Sequence, residues 1–253
     1  MIRLAIRVRA DRAEQALAEL LPILKAGAEE REVDGDVEYS LYAPSGELPD
    51  LDEIRELVGD ALVGVSSEPV PAGWERRWHQ HLQPVRVRDL IVRPPWVEGS
   101  PRDLVVDPGV FFGAGTHATT RLCLELLLDA EPGGPLCDWG AGTGVLAIAA
   151  ARLGWGPVTA VELEDGVIAS NAARNGVEVE VVAADLRERA PWAPTIVANL
   201  TRGLLLELAP VVPPARMILS GMLAGQADEA VAAYGLREER RLEAEGWAAV
   251  ALG

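Results

Sequence analysis

The 253-residue chain predicts an α/β protein. The expected architecture is a mostly parallel sheet ending in an antiparallel strand, with a small α+β domain in front. Three observations carry this expectation. From Leu104 onward, short apolar runs alternate with stretches of helical periodicity, as in parallel strands that need helical crossovers. The last run, Trp247 to Leu252, follows Arg237 to Glu243 across a turn at Gly246, so it closes the sheet as a hairpin. Near the N-terminus the period switches between two and 3.6 in the order β-α-β-β-α-β. The expected units are a small domain over residues 1–68, a linker helix and hairpin over 69–95, and a main domain over 96–253.

Residues 2–8 alternate apolar and polar and read as a strand. Asp11 is placed to cap the next segment, where Ala13, Leu17, Leu20, Leu21 and Leu24 recur at helical spacing, with Gly27 near its end. Strands around 28–33 and 37–42 flank Asp34-Gly35, a two-residue hairpin signal. Pro49 to Asp52 opens a short helix with Ile54, Leu57 and Val58 inward, and 61–65 is the last strand. That order is a ferredoxin-like sandwich, which dictates no function by itself. Pro69-Val70-Pro71 marks the exit, because proline denies both helix continuation and ladder hydrogen bonds. Trp74 to Leu82 reads as a short helix, and its His79 and His81 face different sides, which disfavours a metal site. Gln83 to Trp96 reads as a hairpin. The main domain then has strands over 135–139, 158–163, 179–184, 195–199 and 216–220, with helices between them.

At 49% hydrophobic residues the chain supports a proper core, and no run approaches the ~18 apolar residues of a membrane helix. The N-terminus alternates Arg with aliphatic residues, unlike the basic head and apolar block of a secretory signal, so a cytoplasmic protein is expected. Cys123 and Cys137 have no partner at metal-ligand spacing and read as buried thiols in a reducing compartment. The net charge of −16 is uneven: residues 1–72 carry −9, residues 73–103 carry +2, and residues 104–253 carry −9. An acidic surface repels a phosphate backbone, so direct nucleic-acid binding is not expected and a basic partner fits better.

The chemistry-bearing stretch is Cys137-Asp138-Trp139-Gly140-Ala141-Gly142-Thr143-Gly144, followed by a helix-like run from Val145 to Leu153. Glycines between a strand and a helix let bare backbone N–H groups approach a ligand. A dinucleotide fingerprint needs G-x-G-x-x-G; here the third glycine comes one residue early and Val145 stands in its place. Glycines at 140, 142 and 144 behind an acidic residue instead resemble those of S-adenosylmethionine-dependent methyltransferases. Glu162 ends the next apolar run, where a carboxylate can accept both ribose hydroxyls. Upstream, residues 107–120 place three glycines with Phe111 and Phe112 before a leucine-rich helix. This reads as a lid, with the two rings shielding the cofactor and Thr119 or Thr120 capping the helix and contacting the cofactor's carboxylate. The plainer alternative is an ordinary capped helix start. His117 stays open between a catalytic group and a hydrogen-bonding group within the loop.

The run Phe112-Gly113-Ala114-Gly115-Thr116-His117-Ala118-Thr119-Thr120 is similar to the F-G-T-G-T-H-P-T-T signature of the methyltransferases that act on protein eleven of the large ribosomal subunit. Alanine replaces threonine at 114 and proline at 118. Asp138 to Gly144 resembles that family's D-x-G-C/T-G-S/T-G. Asn199-Leu200-Thr201 resembles its A-N-I/L block, and Ser220-Gly221-Met222-Leu223 its S-G-I/L-L block. The resemblance implies a class I methyltransferase fold (Rossmann-like) with S-adenosyl-L-methionine as cofactor, and a ferredoxin-like domain that grips the ribosomal protein. It implies transfer to lysine ε-amino groups and the N-terminal α-amino group, up to trimethyl products. It carries Thr119, Gly140, Glu162 and Asn199 over as cofactor positions, with Phe112, Gly142 and Gly144 inside the same motifs. Asp185, just after the strand over 179–184, stands where class I enzymes hydrogen-bond the adenine amino group. Glu162 departs from the family's usual aspartate, though either carboxylate can hold a ribose diol.

Release-factor and adenine methyltransferases continue Asn/Asp-Pro-Pro-Tyr where this chain has Asn199-Leu200-Thr201-Arg202. Without the stacking aromatic, a planar acceptor is disfavoured and an aliphatic amine fits better. Asn199 is therefore expected to position the amine, with His117 as a second candidate in catalysis and no metal. A monomer is expected. The competing readings are a glutamine or other small amine/amide methyltransferase, and a non-catalytic module that binds S-adenosylmethionine.

Overall fold

Strand β1 (Ile2–Val8) owes its place to alternation: Leu4, Ile6 and Val8 are buried, while Arg3 and Arg7 point to the opposite face and pair with acidic residues of neighbouring strands. The computed structural model that shows this describes every residue except 1, 21–22, 24–28, 44–47, 71–82, 110–114, 164–165 and 212–215. The chain divides into two units, the first within residues 1–82 and the second beginning at Gln83.

The first unit continues with α1 (Ala13–Leu20), β2 (Glu29–Val33), β3 (Asp36–Ala43), α2 (Leu51–Val58) and β4 (Leu62–Pro69). Its sheet runs β2-β3-β1-β4 with every neighbouring pair antiparallel, the ferredoxin-like arrangement. Ala16, Leu17 and Leu20 of α1 and Ile54 and Val58 of α2 fill the core, and the Tyr39 hydroxyl donates to the Ala13 carbonyl at 3.0 Å. Asp34 and Gly35 both have left-handed φ, +53° and +84°, as a two-residue hairpin turn requires. Asp50 caps α2 by accepting from the backbone of Asp52 and Glu53.

Two expectations for this unit need correction. Asp11 lies within a 3₁₀ turn, Ala10–Arg12, ahead of α1, and its carboxylate is held by Arg9 at 2.5 Å. Pro69 ends strand β4 and does not lie beyond it. The strand is at the sheet edge, where a missing N–H costs little. The helix expected over Trp74 to Leu82, and Gly27, lie outside the described residues.

The second unit opens with β5 (Val85–Val87), β6 (Leu90–Arg93) and β7 (Leu104–Val105), a small sheet of its own. Residues 83–95, grouped with a linker on sequence, thus fold with this unit. After it come α3 (Ala118–Asp129), β8 (Leu136–Trp139), α4 (Val145–Leu153), β9 (Val158–Glu162), α5 (Ile168–Arg174) and β10 (Glu180–Ala183). The chain ends with β11 (Thr195–Asn199), α6 (Arg202–Leu208), β12 (Arg216–Leu223), α7 (Ala227–Tyr234), β13 (Glu238–Ala244) and β14 (Trp247–Leu252). The main sheet runs β10-β9-β8-β11-β12-β14-β13, parallel through β12, with β14 antiparallel to both neighbours. All four residues of β8 are buried, as a strand covered on both faces must be. Strand order reverses between β8 and β11, and open α/β sheets bind ligands outside the carboxyl ends at such a switch point. Both cysteines are buried and unpaired, and burial pushes both thiols up.

Candidate active site

The glycine stretch leaves the end of β8 at that switch point. Gly140 and Ala141 both donate their N–H to the Val161 carbonyl on β9, at 2.9 and 3.0 Å. Gly144 N–H folds back onto the Ala141 carbonyl at 2.7 Å and starts α4. Gly140, Gly142 and Gly144 have φ of +69°, +54° and +80°, a region that strains any residue with a Cβ. At 140 a Cβ would collide with the Leu200 side chain, and at 144 it would lie 2.8 Å from Ile168 Cγ2. The turn requires both glycines, and a side chain at either would also displace its neighbour.

Glu162 ends β9 and closes over the loop. One carboxylate oxygen accepts from Gly142 N–H at 2.8 Å and the other from Leu163 N–H at 2.9 Å. Leu163 itself is 65% exposed. Asp138 lies beneath the loop, fully buried. Its Oδ2 accepts from Ala147 N–H at 3.0 Å, and its Oδ1 has no partner among the described residues. Burial, with the nearby Glu162 charge, pushes its carboxyl up to about 7.

Phe111 and Phe112, the expected lid residues, lie outside the described residues. The segment from Thr116 to Arg121 is well anchored. The helix cap expected of Thr119 or Thr120 is made by His117, whose Nδ1 accepts from Thr119 N–H and lies 2.8 Å from Thr119 Oγ1. The His117 ring packs edge-on against Trp247 of β14 at 4.9 Å between centroids. Arg121 donates to the Thr116 carbonyl and pairs with Glu245 of the β13–β14 turn at 2.5 Å. Burial, then the Arg121 charge, lowers the His117 pKa to about 4, with Glu245 opposing. The imidazole is neutral near pH 7 and a weak base.

Asn199 ends β11, and its Nδ2 donates a long hydrogen bond of 3.4 Å to Thr120 Oγ1. Leu200 packs on Gly140 and donates its N–H to the Ser220 carbonyl of β12. Close approach here demands Gly221, with φ +92°, where a Cβ would collide with the Leu200 carbonyl. The glycine loop, Glu162, Asn199 and the start of α3 are thus joined by direct contacts. Asp185 follows β10, and neighbouring Ala184 donates to the Glu162 carbonyl at 2.9 Å. The Asp185 carboxylate accepts Arg187 N–H at 2.8 Å and starts a turn of its own. Sequence reasoning missed Asn171 and Asn175 on the α5 side, Thr143, and Trp247. No local pattern marks the two asparagines, because the stretch from Ile168 to Asn175 also carries Ser170 and Arg174. Among the described residues no group of His, Cys, Asp or Glu could hold a metal ion, and no helix is long and apolar enough to cross a membrane.

Residues 58–252 match the family described as Ribosomal protein L11 methyltransferase (PrmA). A protein named ribosomal protein L11 methyltransferase from Pelotomaculum thermopropionicum is 40% identical over 226 residues, covering 79% of this chain and 73% of that one. One of the same name from Symbiobacterium thermophilum is 36% identical over 236 residues, covering 85% and 76%. The crystal structure of a ribosomal protein L11 methylase from Lactobacillus delbrueckii subsp. bulgaricus is similar with a TM-score of 0.61 at 27% identity. It covers 68% of this chain and 98% of that one.

Proposed function

The chain belongs to the ribosomal protein L11 methyltransferase family, and from that membership we propose that it methylates L11 on lysine ε-amino groups and the N-terminal α-amino group, up to trimethyl products. The observation that carries the reading is the junction of the positive-φ glycine loop, the Glu162 carboxylate above it and Asn199 one strand away. The enzyme is a class I, S-adenosylmethionine-dependent methyltransferase. Its residues fit that cofactor by their chemistry: a turn with no Cβ at 140, 142 and 144 lets the methionine portion approach closely, and a carboxylate at the end of β9 suits a ribose diol. We assign Glu162 to the ribose, Asp185 to the adenine amino group, Thr119 to the methionine carboxylate, and Gly140, Gly142 and Gly144 to close approach. Phe112 is assigned to the cofactor on its motif alone.

When bound, the cofactor supplies an electrophilic methyl group on a sulfonium. The protein's task is then alignment and desolvation. A free lysine has a pKa near 10.4, so the amine must lose a proton before its lone pair can attack. An apolar entrance favours the neutral amine, whereas a carboxylate beside it would hold the ammonium. Asn199 suits this chemistry: with Nδ2 directed at Thr120, its uncharged oxygen accepts an amine N–H and aims the lone pair without stabilising the ammonium. The proton lost by the ammonium would pass to water, since no assigned residue is placed to take it. His117 is assigned to holding the loop, since it caps α3 and its pKa is depressed to about 4.

The first unit is assigned to recognition of the ribosomal protein, because residues 1–72 carry a net charge of −9 and none of the cofactor motifs. We further assign the protein to the cytoplasm, as a monomer that does not contact nucleic acid directly. Incubation of the purified protein with methyl-labelled donor and L11, followed by mass mapping, tests the proposal. Label on ε- and α-amino groups is the expected result, and label on glutamine or none on L11 would refute it.

A further inference from the structure

Asn171 is fully buried on α5, and no step of the reaction as described uses it. Its amide is nevertheless engaged on three sides. Oδ1 accepts from Asp107 N–H at 2.8 Å, and Nδ2 donates to the Asp107 carbonyl at 2.9 Å and to the Thr143 carbonyl at 3.0 Å. Asn175, one turn later, does the same for its own neighbours. Its Oδ1 accepts from Val105 N–H at 2.9 Å, and its Nδ2 donates to the Val105 carbonyl at 2.7 Å and the Asn171 carbonyl at 2.8 Å. The two side chains hold residues 105 and 107 much as a neighbouring strand would. Only Asn171 also reaches the glycine loop.

The geometry points to Asn171 as a positioning residue for the cofactor, acting through the peptide between Thr143 and Gly144. That peptide is pinned at both ends: its C=O accepts from Asn171, and its N–H donates to the Ala141 carbonyl at 2.7 Å. It joins Thr143 to Gly144, whose φ is +80°, and rotation on the glycine side meets little steric resistance. Asn171 therefore adds a second restraint to that peptide, on its carbonyl side, so the loop meets its ligand already shaped. The same amide ties the loop to Asp107, which leads into the signature stretch and whose carboxylate accepts from Gly109 N–H at 3.1 Å. Only a neutral amide fits. A carboxylate would lose both donor contacts, and an apolar side chain would orphan three backbone groups.

This inference rests on the reading that residues 140–144 bind the donor, and the two are separable by experiment. S-adenosylhomocysteine is titrated calorimetrically into the full chain and into Asn171→Ala and Asn175→Ala. Each variant deletes three side-chain hydrogen bonds, so a merely structural role makes them equivalent. We expect binding to weaken about tenfold in Asn171→Ala and by less than about twofold in Asn175→Ala, in line with the loss of one ordering hydrogen bond at the site. In turnover, KM for the donor should rise by about the same factor in Asn171→Ala, with kcat at saturation little changed. Equal effects in both variants, or none in Asn171→Ala, would overturn the inference. A measurement on the wild-type protein is independent of variant folding: the Asp107 amide should gain hydrogen-exchange protection on ligand binding and the Val105 amide should not. Equal protection would again overturn it. A wild-type protein that binds no S-adenosylhomocysteine would instead sink the underlying assignment of the glycine loop.

Discussion

Two buried ionisable groups of the second unit, Asp138 and His117, pull stability in opposite directions as pH changes. Burial raises Asp138 from 3.8 to about 7, so between those values the folded protein holds a proton that the unfolded chain has released. The stability from that proton is present below pH 3.8 and is lost as pH rises through about 7. Burial lowers His117 from 6.5 to about 4, so between those values the unfolded chain holds the extra proton. Its contribution is present above pH 6.5 and is lost as pH falls through about 4. At 1.36 kcal/mol per unit, the Asp138 swing is about 4 kcal/mol. The His117 swing is at most about 3 kcal/mol, because the ring keeps some exposure. Over pH 4 to 6.5 the two nearly cancel, and each substitution should unmask the other. Stability of Asp138→Asn relative to wild type should climb with pH between 4 and 7. Stability of His117→Asn, which keeps a good capping residue, should fall relative to wild type over pH 4 to 6.5. Urea unfolding at half-unit intervals measures both differences, provided m stays constant. Difference curves flat in pH would refute the burial argument. A pH–rate limb present in wild type and absent from His117→Asn would show His117 acting as a base after all.

Gly140→Ala should weaken binding of S-adenosylhomocysteine by about tenfold or more, and the left-handed backbone should cost about 1–2 kcal/mol of stability; calorimetry and urea unfolding read the two. Glu162→Ala should weaken donor binding by about tenfold or more, since hydrogen bonds to a charged group are worth roughly 1.5–3 kcal/mol, and unchanged affinity would remove it from the site. Asn199→Ala should lower kcat by about ten- to a hundredfold with donor affinity within a few-fold, as loss of positioning implies; steady-state kinetics with L11 separates the two. A chain beginning near Pro71 should bind donor but fail to methylate L11, and full activity would show that recognition lies elsewhere.

The parts of this protein that were legible in its sequence are those written in local geometry. Alternation at residues 2–8, the Asp34-Gly35 turn and the strand–helix succession after Leu104 each depend on neighbours within a few positions, and strands and helices follow one another along the chain as expected. The glycines at 140, 142 and 144 belong to the same class, because positive φ is a property of the residue itself. Helix starts were less legible. Capping preferences rank Ser, Thr, Asp and Asn first, which pointed to Asp11 and to Thr119 or Thr120. Arg9 captured the Asp11 carboxylate, and His117 caps α3. The His117 ring has a second support that no local rule contains, Trp247 from the last strand.

The same reasoning explains why the asparagines of α5 carried no signal. Asn171 meets Asp107 and Thr143, which precede it by 64 and 28 positions, and only the closed fold brings them to one amide. Asp138 is a similar case: a motif marks the position, but its raised pKa comes from burial under the loop. Local pattern places the glycine loop, and long-range contacts hold it still. A chain with the three glycines, Asp138 and Glu162 intact but without the amide at 171 would keep the sequence signature of the site and lose part of its shape. The signature alone therefore reports where a donor binds and leaves open how tightly; for this chain that second question turns on the Thr143–Gly144 peptide.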